Sequence, residues 1–112
     1  MYAERALTHF RKPPVMHNCA QAVAYGCGHA ELVPQLTLET SAGGHAPGGL
    51  CGAAYAAMLC VPEERREAVK AAFAVKLGSP LCRALKRELG VPCPSCVRTA
   101  AEIVERELQV IG

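Results

Sequence analysis

The stretch Gly43-Gly44-His45-Ala46-Pro47-Gly48-Gly49-Leu50-Cys51-Gly52-Ala53-Ala54-Tyr55-Ala56-Ala57-Met58-Leu59-Cys60 decides how the chain is read. It opens as a glycine-rich loop that cannot be regular structure. It closes as an alanine-rich run that reads as a buried helix, from Leu50 to Val61. Small residues at 52, 53, 54, 56 and 57 would let neighbouring helices approach closely, and a helix apolar on all sides belongs in the middle of a bundle. Cys51 stands at the seam between loop and helix. Amides in a helix's first turn have no partner inside the helix, and the helix dipole puts partial positive charge there. A thiol at that point tends to ionise, and the thiolate is the form that binds metal and does redox chemistry. Cys60, three turns down, reads as core.

Working outward, Tyr2, Ala3, Ala6, Leu7 and Phe10 share one helical face, and Lys12-Pro13-Pro14 stops that first helix. Pro14 can open the next one, so Val15 to Tyr25 reads helical, ended by Gly26 and Gly28. Cys19 then falls within its first two turns and Cys27 in the glycine-flanked exit. Residues 30 to 42 are less regular. Pro34, Leu36, Leu38 and Ala42 suggest a helix that the threonines at 37 and 40 weaken. Beyond the central stretch, Pro62-Glu63-Glu64 is a helix start. Ala68, Val69, Ala72, Phe73 and Leu77 make its inner stripe, and Gly78 caps it. Ser79-Pro80 opens another helix with Ser79 as N-cap, Cys82 in its first turn, Leu81, Leu85 and Leu89 inward, and Gly90 at its end. Cys93-Pro94-Ser95-Cys96 leads into the last helix. There Val97, Ala100, Ala101, Val104, Leu108 and Ile111 alternate at helical spacing with Arg98, Glu102, Glu105 and Arg106. The whole reads as an all-α protein, a compact bundle of five to seven short helices in a single domain, residues 1–112.

Composition sharpens this. Of 112 residues, 51% are hydrophobic, yet only two Phe, three Tyr and no Trp contribute. A core of Ala, Leu and Val favours closely packed helices. Twelve basic and ten acidic residues are interspersed for a net charge of +2, a solubilising surface with no basic, aromatic-interleaved patch for nucleic acid. No apolar run approaches the ~20 residues of a membrane helix. The start Met1-Tyr2-Ala3-Glu4-Arg5 lacks the pattern of a secretory signal, so the expected compartment is the cytoplasm, where thiols stay reduced.

Seven cysteines are many for a reduced compartment: Cys19, Cys27, Cys51, Cys60, Cys82, Cys93 and Cys96. Their share lies below the ~8–10% of a disulfide scaffold, and their number is odd. Some are expected simply to fill the core, as free Cys often does. Yet Cys51, Cys82 and Cys93 each stand at or just before a predicted helix N-terminus, and Cys19 is close to one. Converging helix starts would stabilise thiolates or an anionic thiolate-bound cluster. Iron–sulfur clusters take four Cys thiolates, and structural zinc takes four Cys or His. The Cys93/Cys96 pair is a C-x-x-C. It could be half of a zinc site, a dithiol redox pair or a source of cluster ligands. It is not a c-type haem site, because Val97 stands where His is required. His17 and His45 flank candidate ligands in sequence; His9 and His29 read as surface residues. The glycine-rich loop lacks the Lys-Ser/Thr ending of a phosphate-binding loop. No paired carboxylates or Ser/His/Asp arrangement is visible, so whether the protein is an enzyme stays open.

These residues resemble the C_GCAxxG_C_C family, small bacterial and archaeal redox-active proteins named for a C…CGAxxG…C…C pattern. The resemblance rests on Asn18-Cys19-Ala20-Gln21-Ala22-Val23, Gly48-Gly49-Leu50-Cys51-Gly52-Ala53, Leu81-Cys82-Arg83 with Leu85, and Cys93-Pro94-Ser95-Cys96-Val97 followed by Ala100-Ala101-Glu102-Ile103. It runs in order over residues 17 to 108. Related sequence occurs in split-Soret cytochromes, which carry an iron–sulfur centre alongside haem. The resemblance implies a helical, redox-active protein whose four family cysteines are Cys19, Cys51, Cys82 and Cys93. Two departures stand out. Ala56 replaces the family's second motif glycine, and the segment between Cys82 and Cys93 is compressed, which leaves Cys93 against Cys96 open as the fourth ligand.

The expectation is thus a small iron–sulfur protein without haem. Cys19, Cys51, Cys82 and Cys93 would hold one cluster, for electron transfer or as a redox module for a partner protein. Fewer than four true ligands would leave an open iron site able to bind a small molecule. The alternatives are a metal-free thiol/disulfide protein using Cys93 and Cys96, and a structural zinc site in an interaction module. No nucleic-acid or membrane partner is expected, and a homodimer is compatible with the alanine-rich helices.

Overall fold

The computed structural model describes residues 2–13, 16–41 and 44–111, without side-chain detail at 38, 39, 110 and 111. The protein is all-α. Its helices are α1 (Tyr2–His9), α2 (Cys19–Gly26), α3 (Leu38–Ser41), α4 (Gly52–Leu59), α5 (Arg66–Leu77) and α6 (Cys93–Ile111). Single 3₁₀ turns at Ala30–Gln35, Pro47–Gly49 and Glu63–Arg65 connect them, together with a wide π-type turn at Ala84–Glu88. Among the described residues there is no strand, and the backbone pairs across the fold only at two isolated bridges, Phe10 with His17 and Leu50 with Leu81. Among the described residues no helix is long and apolar enough to cross a membrane.

The central stretch takes the central place. α4 packs against α2, α5 and α6, while α1 lies across α2 and α6. Gly52, Ala53, Ala54, Ala56 and Ala57 are all buried, and only Tyr55, Met58 and Leu59 reach partway to solvent. Small side chains bring the axes close. The tightest crossing is α1 on α2, where a Cβ added to Gly26 would lie 2.6 Å from the backbone N of Ala6. Backbone atoms there cannot step aside. Gly26→Ala is therefore expected to cost about 1–3 kcal/mol, the usual range for overpacking, read as a lower urea midpoint.

Polar ties lock the outer layer. The Tyr2 amide donates to Glu105 Oε1 at 2.8 Å, joining α1 to α6. Arg65 forks onto Glu107 through Nε at 3.0 Å and Nη2 at 2.5 Å, joining the start of α5 to α6. The Arg66 Nε donates to the Met58 carbonyl in the last turn of α4 at 3.0 Å.

Several local expectations need correction. α2 begins at Cys19 rather than four residues earlier. Asn18 and Gln21 form a reciprocal capping box, Oδ1 of Asn18 accepting from the Gln21 amide at 2.8 Å and Oε1 of Gln21 from the Asn18 amide at 3.0 Å. Met16, at a left-handed φ of 59°, lies outside the helix. Pro14 and Val15, assigned to this helix from sequence, are outside the described residues. The single helix expected over 30 to 42 is two pieces, a 3₁₀ turn that contains Pro34 and the one-turn α3; Ala42 and Gly43 lie outside the described residues. In the segment after Gly78 only Leu85 is buried, whereas Leu81 and Leu89 are 41% and 49% exposed. Leu81 is held in the bridge to Leu50 before the helix begins, and the extra residue in the π turn rotates Leu89 off the inner face. Ala68, expected on the inner stripe of α5, is exposed. α6 spans 19 residues and is not short.

Candidate functional site

Four cysteines stand at four helix starts. Cys19 is the first residue of α2, directly after the Asn18 cap. Cys51 is the N-cap of α4. Cys82 opens the helical turn that leads into the π segment, and Cys93 is the first residue of α6. Two backbone pairings aim these ends at one another. Leu50 bridges Leu81, and the Cys51 amide donates to the Pro80 carbonyl at 2.8 Å, so Cys51 and Cys82 follow the two partners of one bridge. On the other side the Arg11 amide donates to the His17 carbonyl at 2.9 Å, folding the end of α1 over the start of α2.

The result is one cavity of 320 Å³. Cys19, Cys51, Cys82, Cys93 and Cys96 all line it, with Phe10, Arg11, Met16, His17, Asn18, Gly52 and Lys86. Cys51 and Cys96 are buried; Cys19, Cys82 and Cys93 are half-buried. Among the described residues no carboxylate lines the cavity, and the chain contains no Asp at all. Among the described residues no three His, Cys, Asp or Glu side chains converge closely enough to share one metal ion; the thiols ring the wall instead.

The charges around them are cationic. Lys86 Nζ donates to Cys93 Sγ at 2.6 Å, and Arg11 Nη2 lies 3.9 Å from the same sulfur. Burial opposes the charge on Lys86, but contact with Cys93 outweighs it and holds the ammonium above its ordinary value. The thiols differ sharply in acidity. Cys51 is lowered to about 7: the Cys96 thiol hydrogen-bonds to it and the Ala54 and Ala53 amides at the open end of α4 face it, outweighing burial. Cys96, as the donor of that hydrogen bond and a buried group, is raised. Cys19 is raised to about 12, chiefly by burial and then by the charge of Cys51. Burial also raises Cys82, with Cys51 adding to it.

All four cysteines singled out from sequence therefore meet at one cavity, and so does Cys96, which had been the alternative to Cys93. Of the histidines, His17 lines the cavity and His45 does not. His9, expected at the surface, is half-buried in an aromatic group, its ring centroid 4.0 Å from that of Tyr25 and 6.0 Å from that of His17. His29 pairs with Glu31 at 2.9 Å. Sequence reasoning missed Lys86 and Arg11. Lys86 had a signal, four residues after Cys82 and so on the same helical face. Arg11 had none, because only the pairing of Phe10 and Arg11 with His17 turns it toward Cys93. Comparison with family models, with curated protein sequences and with solved structures gives no match.

Proposed function

We propose that the protein holds an iron–sulfur cluster through Cys19, Cys51, Cys82 and Cys93 and serves as an electron-transfer or redox module for a partner protein. The observation that carries this is the convergence of four thiols, remote in sequence, from four helix starts onto one carboxylate-free cavity. The donor set suits such a group: thiolates alone as ligands, with Lys86 and Arg11 to offset their charge. A cluster bound there supplies reversible one-electron chemistry. The chain's own part is to keep Cys51 ionised beside Cys96 and to set Lys86 and Arg11 against Cys93. The resemblance to C_GCAxxG_C_C proteins points to the same four cysteines. The test is an absorption spectrum with iron, sulfide and zinc analysis of anaerobically purified protein. Stoichiometric iron and sulfide are expected; colourless protein free of both, even after reconstitution, overturns the reading.

A second reading has its own observation. Cys96 and Cys51 line the same cavity and shift each other's acidity in opposite directions, so a metal-free thiol protein would use Cys51 as attacking thiolate and Cys96 as resolving thiol, rather than the C-x-x-C pair alone. This gives a pH-dependent expectation for metal-free, reduced protein. Thiolate forms as pH rises through the pKa, so iodoacetamide should modify Cys51 with half-maximal rate near pH 7, while Cys19, titrating near 12, stays slow. Cys96→Ala removes the donor and should move the Cys51 profile to higher pH. Fragment mass analysis against pH reads both. Equal rates at all cavity cysteines would remove this reading.

A further inference from the structure

Five of the seven cysteines line the cavity; the other two, Cys27 and Cys60, do not. Their placement follows from the same two helices. α2 and α4 are each eight residues long, pack along one another, and begin together at the cavity, where Cys19 opens one and Cys51 caps the other. They therefore run parallel and end together. The residue just past each end is a cysteine: Cys27 is the C-cap of α2 and Cys60 the C-cap of α4. Both are core residues, 3% and 4% exposed, in one buried cluster at the matching ends of two packed helices. Nine helical steps of ~1.5 Å separate Cys60 from Cys51, so the pair sits about 13 Å from the cavity end of α4.

We propose that Cys27 and Cys60 form a second redox site, independent of the thiol cavity: a reversible buried disulfide that clamps the far ends of α2 and α4, made by exchange with a low-molecular-weight disulfide such as oxidised glutathione. The chemistry balances. One protein thiolate attacks a sulfur of the small disulfide, forming a mixed disulfide and releasing one small thiol. The second protein thiolate displaces the other. Two protein thiols give up two electrons and two protons, and the small disulfide leaves as two thiols. The neighbouring Cys60 thiol and burial hold Cys27 protonated, so exchange is slow and passes through transient opening of the helix ends. Once formed, the bond ties together the two helices that present Cys19 and Cys51 at their other ends. The proposal stands whether or not the cavity holds a cluster.

The test uses metal-free full-length protein equilibrated with excess oxidised glutathione at pH 8.5 and 37 °C, then alkylated and cleaved after glutamate. Glu31 and Glu39 separate Cys27 from Cys60, but Cys19 travels with Cys27 and Cys51 with Cys60. The linkage is therefore read by tandem mass spectrometry in the natural chain and again in the double variant Cys19→Ser, Cys51→Ser. The expected result is a Cys27–Cys60 bond in both. It should be accompanied by a rise of roughly 10 °C in Tm that dithiothreitol reverses and that Cys27→Ala and Cys60→Ala each lack. Should the double variant or an alanine variant not fold, the bond assignment and Tm shift in the natural chain decide alone. Unlinked or merely glutathionylated Cys27 and Cys60, with no dithiothreitol-sensitive shift in Tm, overturn the proposal.

Discussion

Cys51→Ala is expected to abolish iron–sulfur loading, whereas Cys60→Ala is expected to leave it intact. The two cysteines bracket the same helix, one as N-cap and one as C-cap of α4, and both are buried. Local chemistry does not separate them; tertiary placement does. Cys51 faces the cavity shared with Cys19, Cys82, Cys93 and Cys96, and Cys60 faces Cys27. Even removal of an outer-shell partner commonly costs 10–100-fold in metal affinity, so loss of a ligand should lower iron per chain at least about tenfold after anaerobic reconstitution. The visible absorption should fall with it. Circular dichroism checks that both variants are folded. Cys51→Ala that retains full iron and sulfide would remove Cys51 from the ligand set and with it the reading built on helix starts.

The largest stability loss is expected at Phe73. It is fully buried on α5 and is the largest such side chain among the described residues. Removing a fully buried ring leaves a cavity in the core, and Phe73→Ala should cost about 3–5 kcal/mol. For a domain whose total stability is on the order of 5–15 kcal/mol, that is a large share. Urea unfolding followed by circular dichroism would show it as a sharply lowered midpoint. Val75→Ala, two residues along the same helix but 86% exposed, should fall within about 0.5 kcal/mol of the natural chain. Because Phe73 does not line the thiol cavity, folded Phe73→Ala protein should still load iron. A Phe73→Ala loss no larger than that of Val75→Ala would show that the core tolerates the hole.

Much of the fold was legible because its causes are local. The all-round apolar run 52–59 places α4 at the centre, Gly78 at a φ of 100° ends α5, and the stripe of Val97, Ala100, Ala101 and Val104 buries α6. Where the reading slipped, a local signal was outweighed or overlooked. Pro14 suggested an early start to α2, but the Asn18/Gln21 box sets it at Cys19. Leu81 and Leu89 keep helical spacing with Leu85, but the spacing assumed 3.6 residues per turn, and the π turn at Ala84–Glu88 breaks that phase.

For the candidate site, sequence alone determined that Cys51, Cys82, Cys93 and, nearly, Cys19 belong to helix starts, because caps, prolines and glycines act over a few residues. Tertiary structure alone decided what those starts face. The Leu50–Leu81 bridge and the pairing of Phe10 and Arg11 with His17 depend on contacts beyond a helical turn, which no local pattern encodes. Those contacts bring Cys96 beside Cys51, turn Lys86 and Arg11 onto Cys93, and send the parallel helices α2 and α4 on to end in the buried pair Cys27 and Cys60. Sequence marked the thiols at the helix ends; packing sorted them into five around one cavity and two at the opposite end.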